Sequence, residues 1–105
     1  MSGSAARALR RALKAEFRHF AGLIEIEIRN AREWASMTFT GERHNLAIRL
    51  EGRGASAVMA RFRNGLEERE FELGGHILID IAVSSSRDSG EGAEIELEAL
   101  TVVAD

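Results

Sequence analysis

The chain contains no cysteine and no proline. Without cysteine there is neither a disulfide framework nor a thiolate metal site, so a packed core has to hold the fold. Without proline the strongest chain-breaker is missing, and the loops have to turn on Gly, Asn, Asp and Ser. Aromatic residues are scarce, at 6% with one tryptophan and no tyrosine, which leaves little for stacking on nucleic-acid bases. Lysine occurs once, at Lys14, and arginine supplies the other 13 of 14 basic residues. With the abundant alanine, that bias suggests a GC-rich bacterial genome, a matter of codons rather than chemistry. No run reaches the roughly 18 apolar residues of a membrane span. The opening "MSGSAARALRRALK" has neither the apolar core nor the cleavage pattern of a secretory signal. These absences predict a cytoplasmic protein that makes no use of a membrane.

What is present suits one domain, 1–105, with a single core. At 45% hydrophobic and 30% charged, the composition excludes disorder. The net charge of −3 is unevenly spread. Residues 1–21 hold five cations against Glu16, a balance of +4, and the remainder carries −7.

Periodicity supplies the elements. A helix is expected over 5–20, with Ser4 as N-cap and Gly22 past its end. Its apolar face is Leu9, Leu13, Phe17 and Phe20, and its basic face is Arg7, Arg11, Lys14 and Arg18. Alternation then predicts three strands: "LIEIEIR" with Ile24, Ile26 and Ile28 inward, "ASMTFT" with Met37 and Phe39 inward, and "NLAIRLE" with Leu46, Ile48 and Leu50 inward. The short links "NAREW" and "GERH" make them a meander. A second helix follows at about 55–67, on the stripe Ala55, Val58, Met59, Phe62 and Leu66. "HILIDIAVS", with Ile77, Ile79, Ile81 and Val83 inward, and "AEIELEALTVV", with Ile95 and Leu97 inward, complete the sheet. The order α-β-β-β-α-β-β predicts an α+β two-layer sandwich: five mostly antiparallel strands, both helices on one face, and the other face open.

One motif invites a nucleotide. Gly52, Gly54 and Ala57 spell G-x-G-x-x-A between a strand and a helix, the spacing that lets backbone approach a pyrophosphate. The surroundings argue against it, because "NLAIRLE" alternates as a half-exposed antiparallel strand and not as a buried parallel one. The acid expected about 20 residues on would be Glu72, which precedes the next strand instead of ending it. A plainer anion site at Gly52, Arg53 and Gly54 stays open.

The histidines His19, His44 and His76 have no metal-ligand spacing, and His19 and His44 are expected at the surface or its boundary. His76 and Asp80 fall on one strand face but about 13 Å apart. The rows Glu25/Glu27 and Glu94/Glu96/Glu98 read as a solvated outer face, repelling one another unless Arg29, Arg49 or an external cation lies between. No nucleophile, base and oxyanion donors converge, so no catalytic residue, metal or cofactor is expected.

The favoured reading is a non-catalytic binding domain working through its open sheet face, with a second copy or another protein as partner. Leu78, Ala82, Leu100 and Val102 interrupt that face with apolar side chains, and Trp34, expected in the first turn, is a candidate anchor. Two alternatives remain. One is a small-ligand or enzymatic site, either at the Gly52–Gly54 turn with Arg53 or at His76 and Asp80. The other is a nucleic-acid contact through the basic helix, against which the acidic body and the few aromatics count.

Overall fold

The computed structural model describes residues 3–89 and 91–104. Helix α1 spans Ser4–Ala15, strand β1 Leu23–Ala35 and strand β2 Thr40–Glu51. Helix α2 spans Ala55–Arg63 and is followed by a 3-10 turn at Leu66–Glu68. Strands β3, His76–Asp88, and β4, Gly92–Val103, close the fold. It is an α+β sandwich of two helices on a wholly antiparallel sheet in the order β1-β2-β4-β3. The sheet has four strands, where the sequence pattern suggested five.

The difference lies in the first hairpin. "NAREW" does not break the chain but continues β1, which pairs with β2 without interruption from Asn30↔Asn45 to Ala35↔Thr40. "GERH" likewise belongs to β2, and "ASMTFT" is mostly the hairpin tip. That tip is closed by the Ser36 amide donating to the Phe39 carbonyl at 2.7 Å and the Phe39 amide donating to Ser36 Oγ at 3.1 Å. Two long strands thus replace three short ones.

Both helices cover one face. Leu9, Leu13 and Phe17 from α1 meet Ala55, Met59 and Phe62 from α2 over Ile26, Leu46, Ile48, Leu50, Ile95 and Leu97. The Phe17 and Phe62 rings lie 4.8 Å apart and tilted, joining the helices directly. The helix ends are shorter than the periodicity implied. Ser4 is not the N-cap of α1; Gly3 takes that place at φ 107, while Ser4 Oγ lies 2.9 Å from His76 Nε2. Past Ala15 the chain tightens into i→i+3 bonds, which still bury Phe17.

Two glycines explain the strand–helix turn. A Cβ at Gly22 would stand 2.2 Å from the Glu51 carbonyl, and one at Gly52 would stand 3.2 Å from Gly22 Cα. The link entering β1 crosses the exit of β2 at backbone distance, and Gly52 adopts φ +135 there. Its glycine serves chain packing.

Candidate interaction surface

Each strand pair aligns one row of side chains on the open face. Glu25, Arg49, Glu94 and Arg87 sit side by side across β1, β2, β4 and β3. Arg49 pairs with Glu25 and with Glu51 at 3.0 Å. Arg29, at a bulge in β1, reaches Glu27 at 3.0 Å, Glu96 at 2.8 Å and Glu94 at 3.8 Å. Hydrogen bonding to Glu27 and to Glu25 holds the Arg29 and Arg49 guanidiniums, respectively, above their already high ordinary pKa. The glutamate rows are therefore kept apart by the chain's own two arginines. This half of the face is polar, its two paired arginines set among six glutamates, Glu25, Glu27, Glu51, Glu94, Glu96 and Glu98.

The other half is different. Trp34, Gly41, Val102 and Ile77 form the last outward row, next to the β1–β2 tip. Six large apolar side chains stand out as exposed among the described residues. Five of them, Met37, Phe39, Ile77, Ile79 and Val103, gather at this end, and Leu23 alone lies at the other. Met37 is fully exposed. A hollow of about 320 Å³ is lined by Met37, Phe39, Ile77, Val102 and Val103. Behind it, on the helix side, a second hollow of about 550 Å³ is bordered by Ser4, Glu33, Glu42, His76 and Thr101. The end of the sheet is thus an apolar rim with cavities on both sides.

The residues singled out in the sequence scatter over this geometry. Ala82, Leu100 and Val102 do belong to the open face, opposite Glu98, Asp80 and Gly41 respectively. Leu78 does not. A bulge between Leu78 and Asp80 leaves Ile79 outside the ladder, so the alternation flips and Leu78 packs against the core while Ile77 and Ile79 are exposed. The same bulge separates His76, opposite Val103, from Asp80, opposite Leu100, so they no longer share a face. Trp34 lies on β1 and not in a turn, half-buried, with its indole Nε1 shielded and without a hydrogen-bond partner.

His44 is not at the surface. It sits on the helix-facing side of β2, wholly buried, with Nε2 3.0 Å from Thr101 Oγ1 and Nδ1 without a partner. Burial pushes its pKa below the ordinary range; Glu42 opposes this and His76 reinforces it. The rim residues Met37, Phe39, Ile77 and Ile79 were assigned inward by simple alternation.

At the glycine turn the Gly52 amide already donates to the Glu91 carbonyl at 2.8 Å, and the Gly52 carbonyl accepts from Ala55. Arg53 and Gly54 are exposed. The sheet around them is antiparallel throughout, which removes the setting a dinucleotide fingerprint needs. Among the described residues no group of three or more His, Cys, Asp or Glu could hold a metal ion. Nor is any described helix long and apolar enough to cross a membrane. The basic face of α1, Arg7, Arg11, Lys14 and Arg18, is exposed along the β1 side of the molecule.

Neither a protein-family model nor a curated protein sequence matches the chain. In fold it is similar to a chain of a solved structure described as "Virion of native gene transfer agent (GTA) particle", at TM-score 0.68 and 16% sequence identity. The match covers 99% of this chain and 100% of that one. The likeness runs the full length of both. At that identity it is a likeness of fold, and it leaves the rim and the basic helix to be judged on their own chemistry.

Proposed function

We propose that the chain is a non-catalytic structural subunit of a virion-like particle, acting by protein–protein contact. The observation that carries this reading is the end-to-end fold likeness to a chain of a virion structure. The apolar rim agrees with it. Monomeric soluble domains scatter their exposed apolar side chains, whereas here five converge on one end, beside a half-buried tryptophan. Met37 and Phe39 at the tip, with Ile77, Ile79 and Val103 beneath, form the surface that seats against a neighbouring subunit. Trp34, Leu100 and Val102 continue it onto the open face, and Ala82 lies further along.

The test is incorporation. Tagged protein is expressed in its source cells, and particles are isolated on a density gradient. The chain should sediment with them at a fixed ratio to the other components. Met37→Ser with Phe39→Ser should reduce that ratio without lowering the melting temperature of the isolated protein. Recovery of the unaltered chain wholly outside sedimenting particles overturns the reading.

A further inference from the structure

The two edges of the sheet differ in charge: one is lined by five cations, and the other presents four glutamates around Arg69, with Arg63 beside Glu67 and Glu68. On one side α1 packs on the edge strand β1, and Arg7, Arg10, Arg11, Lys14 and Arg18 line a groove of about 610 Å³ with Ile24. Arg10 Nε donates to the Ile26 carbonyl of β1 at 3.1 Å, and Arg18 Nη1 to the Ala15 carbonyl at 2.9 Å. Among the described residues none of these five cations forms an ion pair, although Arg29, Arg49 and Arg69 all do.

On the opposite side the 3-10 turn packs against the other edge strand, β3. It opens a segment in which Glu67, Glu68, Glu70 and Glu72 are exposed and, among the described residues, without ion pairs. Buried Leu66 and Leu73 anchor its two ends. Arg69 fixes its middle: it reaches Glu16 at 2.9 Å, donates to the Phe62 and Asn64 carbonyls at 2.9 and 2.7 Å, and lies over the Phe62 ring. The four carboxylates are thus displayed on a preorganised segment, which lowers the ordering cost of docking it.

Like charges crowded on each flank repel within one chain, and a second copy offers the opposite sign. We propose that copies of this chain associate head to tail, the 67–72 segment of one seating in the α1–β1 groove of the next. The two surfaces differ, so the contact is heterologous: each copy keeps one of each free, and growth ends only by closing a ring or continues as a filament. The proposal rests on the reading above that the chain works by protein–protein contact, and it names the partner.

Sedimentation velocity on the purified chain tests it with two charge-reversed variants, Arg11→Glu with Lys14→Glu and Glu68→Lys with Glu70→Lys. The unaltered chain should form larger species that grow with concentration and shrink as salt is raised. Each variant alone should associate about tenfold more weakly or not at all. Mixed in equal amounts, the two should pair one to one, because the unaltered segment of the first variant meets the unaltered groove of the second while the altered surfaces cap both ends of the pair. All four positions are exposed, and unchanged thermal melts confirm that the variants fold. Arg11→Gln with Lys14→Gln replaces the first variant if it does not.

A chain that stays monomeric at every concentration and salt overturns the proposal. So does a mixture no larger than its separate components. A short DNA duplex that binds the monomeric wild type, but not Arg11→Glu with Lys14→Glu, assigns the groove to a polyanion and overturns it as well. If both variants enter particles as the wild type does, the head-to-tail contact falls and the structural-subunit reading stands.

Discussion

His44 makes stability depend on pH in a defined direction. Its ring is wholly buried, one nitrogen lies on Thr101 and the other is without a partner, and burial lowers its pKa from the ordinary 6.5. The folded chain therefore holds a neutral ring to lower pH than the unfolded chain does. Above pH 6.5 neither state binds the proton, and stability is insensitive to this group. As pH falls through 6.5 the unfolded chain takes up a proton that the folded chain refuses, and stability drops until the lowered pKa is reached. The limiting slope is about 1.4 kcal/mol per pH unit. His44→Gln retains a polar group for Thr101 but cannot titrate. Loss of part of the buried hydrogen bonding should cost it about 1–3 kcal/mol at neutral pH. The assay is urea unfolding of both proteins at several pH values between about 8 and 5. Every other titrating group is shared, so the gap between the two isolates His44. It should be constant above pH 6.5 and narrow below it. A gap that does not change with pH refutes the reasoning.

Two further predictions concern the backbone. Leu78→Asp places a carboxylate against the core and should cost about 1–3 kcal/mol in urea unfolding, while Ile79→Asp, one residue away on the bulge, should change stability by less than about 0.5 kcal/mol. The reverse order, with Ile79→Asp the more costly, would show that strict alternation holds and the bulge does not. Gly22→Ala would drive a methyl group into the Glu51 carbonyl, and the required shift should cost about 1–3 kcal/mol. A melting temperature equal to that of the wild type would show that the two chain segments do not cross so closely.

The helices and the core were legible because both follow strict periods. The inward rows Ile24, Ile26, Ile28 and Leu46, Ile48, Leu50 stand in the structure as alternation placed them. Alternation failed at the β3 bulge and at the hairpin tip. A single unpaired residue, Ile79, inverts every facing before it, and no local propensity marks where it falls. Met37 and Phe39 look like strand core because their spacing is right; the uninterrupted pairing from Asn30 to Ala35 is what carries them past the end of the sheet. Both failures lie on the apolar rim, so the surface proposed for partner contact is the part most hidden from pattern. Arg29 and Arg49 were read correctly as the cations able to separate the glutamate rows, because opposite charges on neighbouring strands need only register to meet. His44 was misplaced for the same reason as the tip: β2 starts five residues earlier than its apolar alternation does, at Thr40.

The strand order has a consequence for how the chain reaches this structure. β1 with β2 and β3 with β4 are local hairpins, each joined by a short turn. Within the sheet, the two halves of the chain meet at the seam between β2 and β4, where Ile48 faces Ile95. Closing that seam means ordering α2 and the segment behind it before any of its pairings is gained, and such long-range closure is what slows folding. The hairpins are expected to form early and transiently, and the central seam to set the rate. Until it closes, the inner edges of β2 and β4 lie open to pairing with another chain. The newly made protein is therefore most exposed to misassembly along the middle of its sheet, the region that is most protected once it has folded.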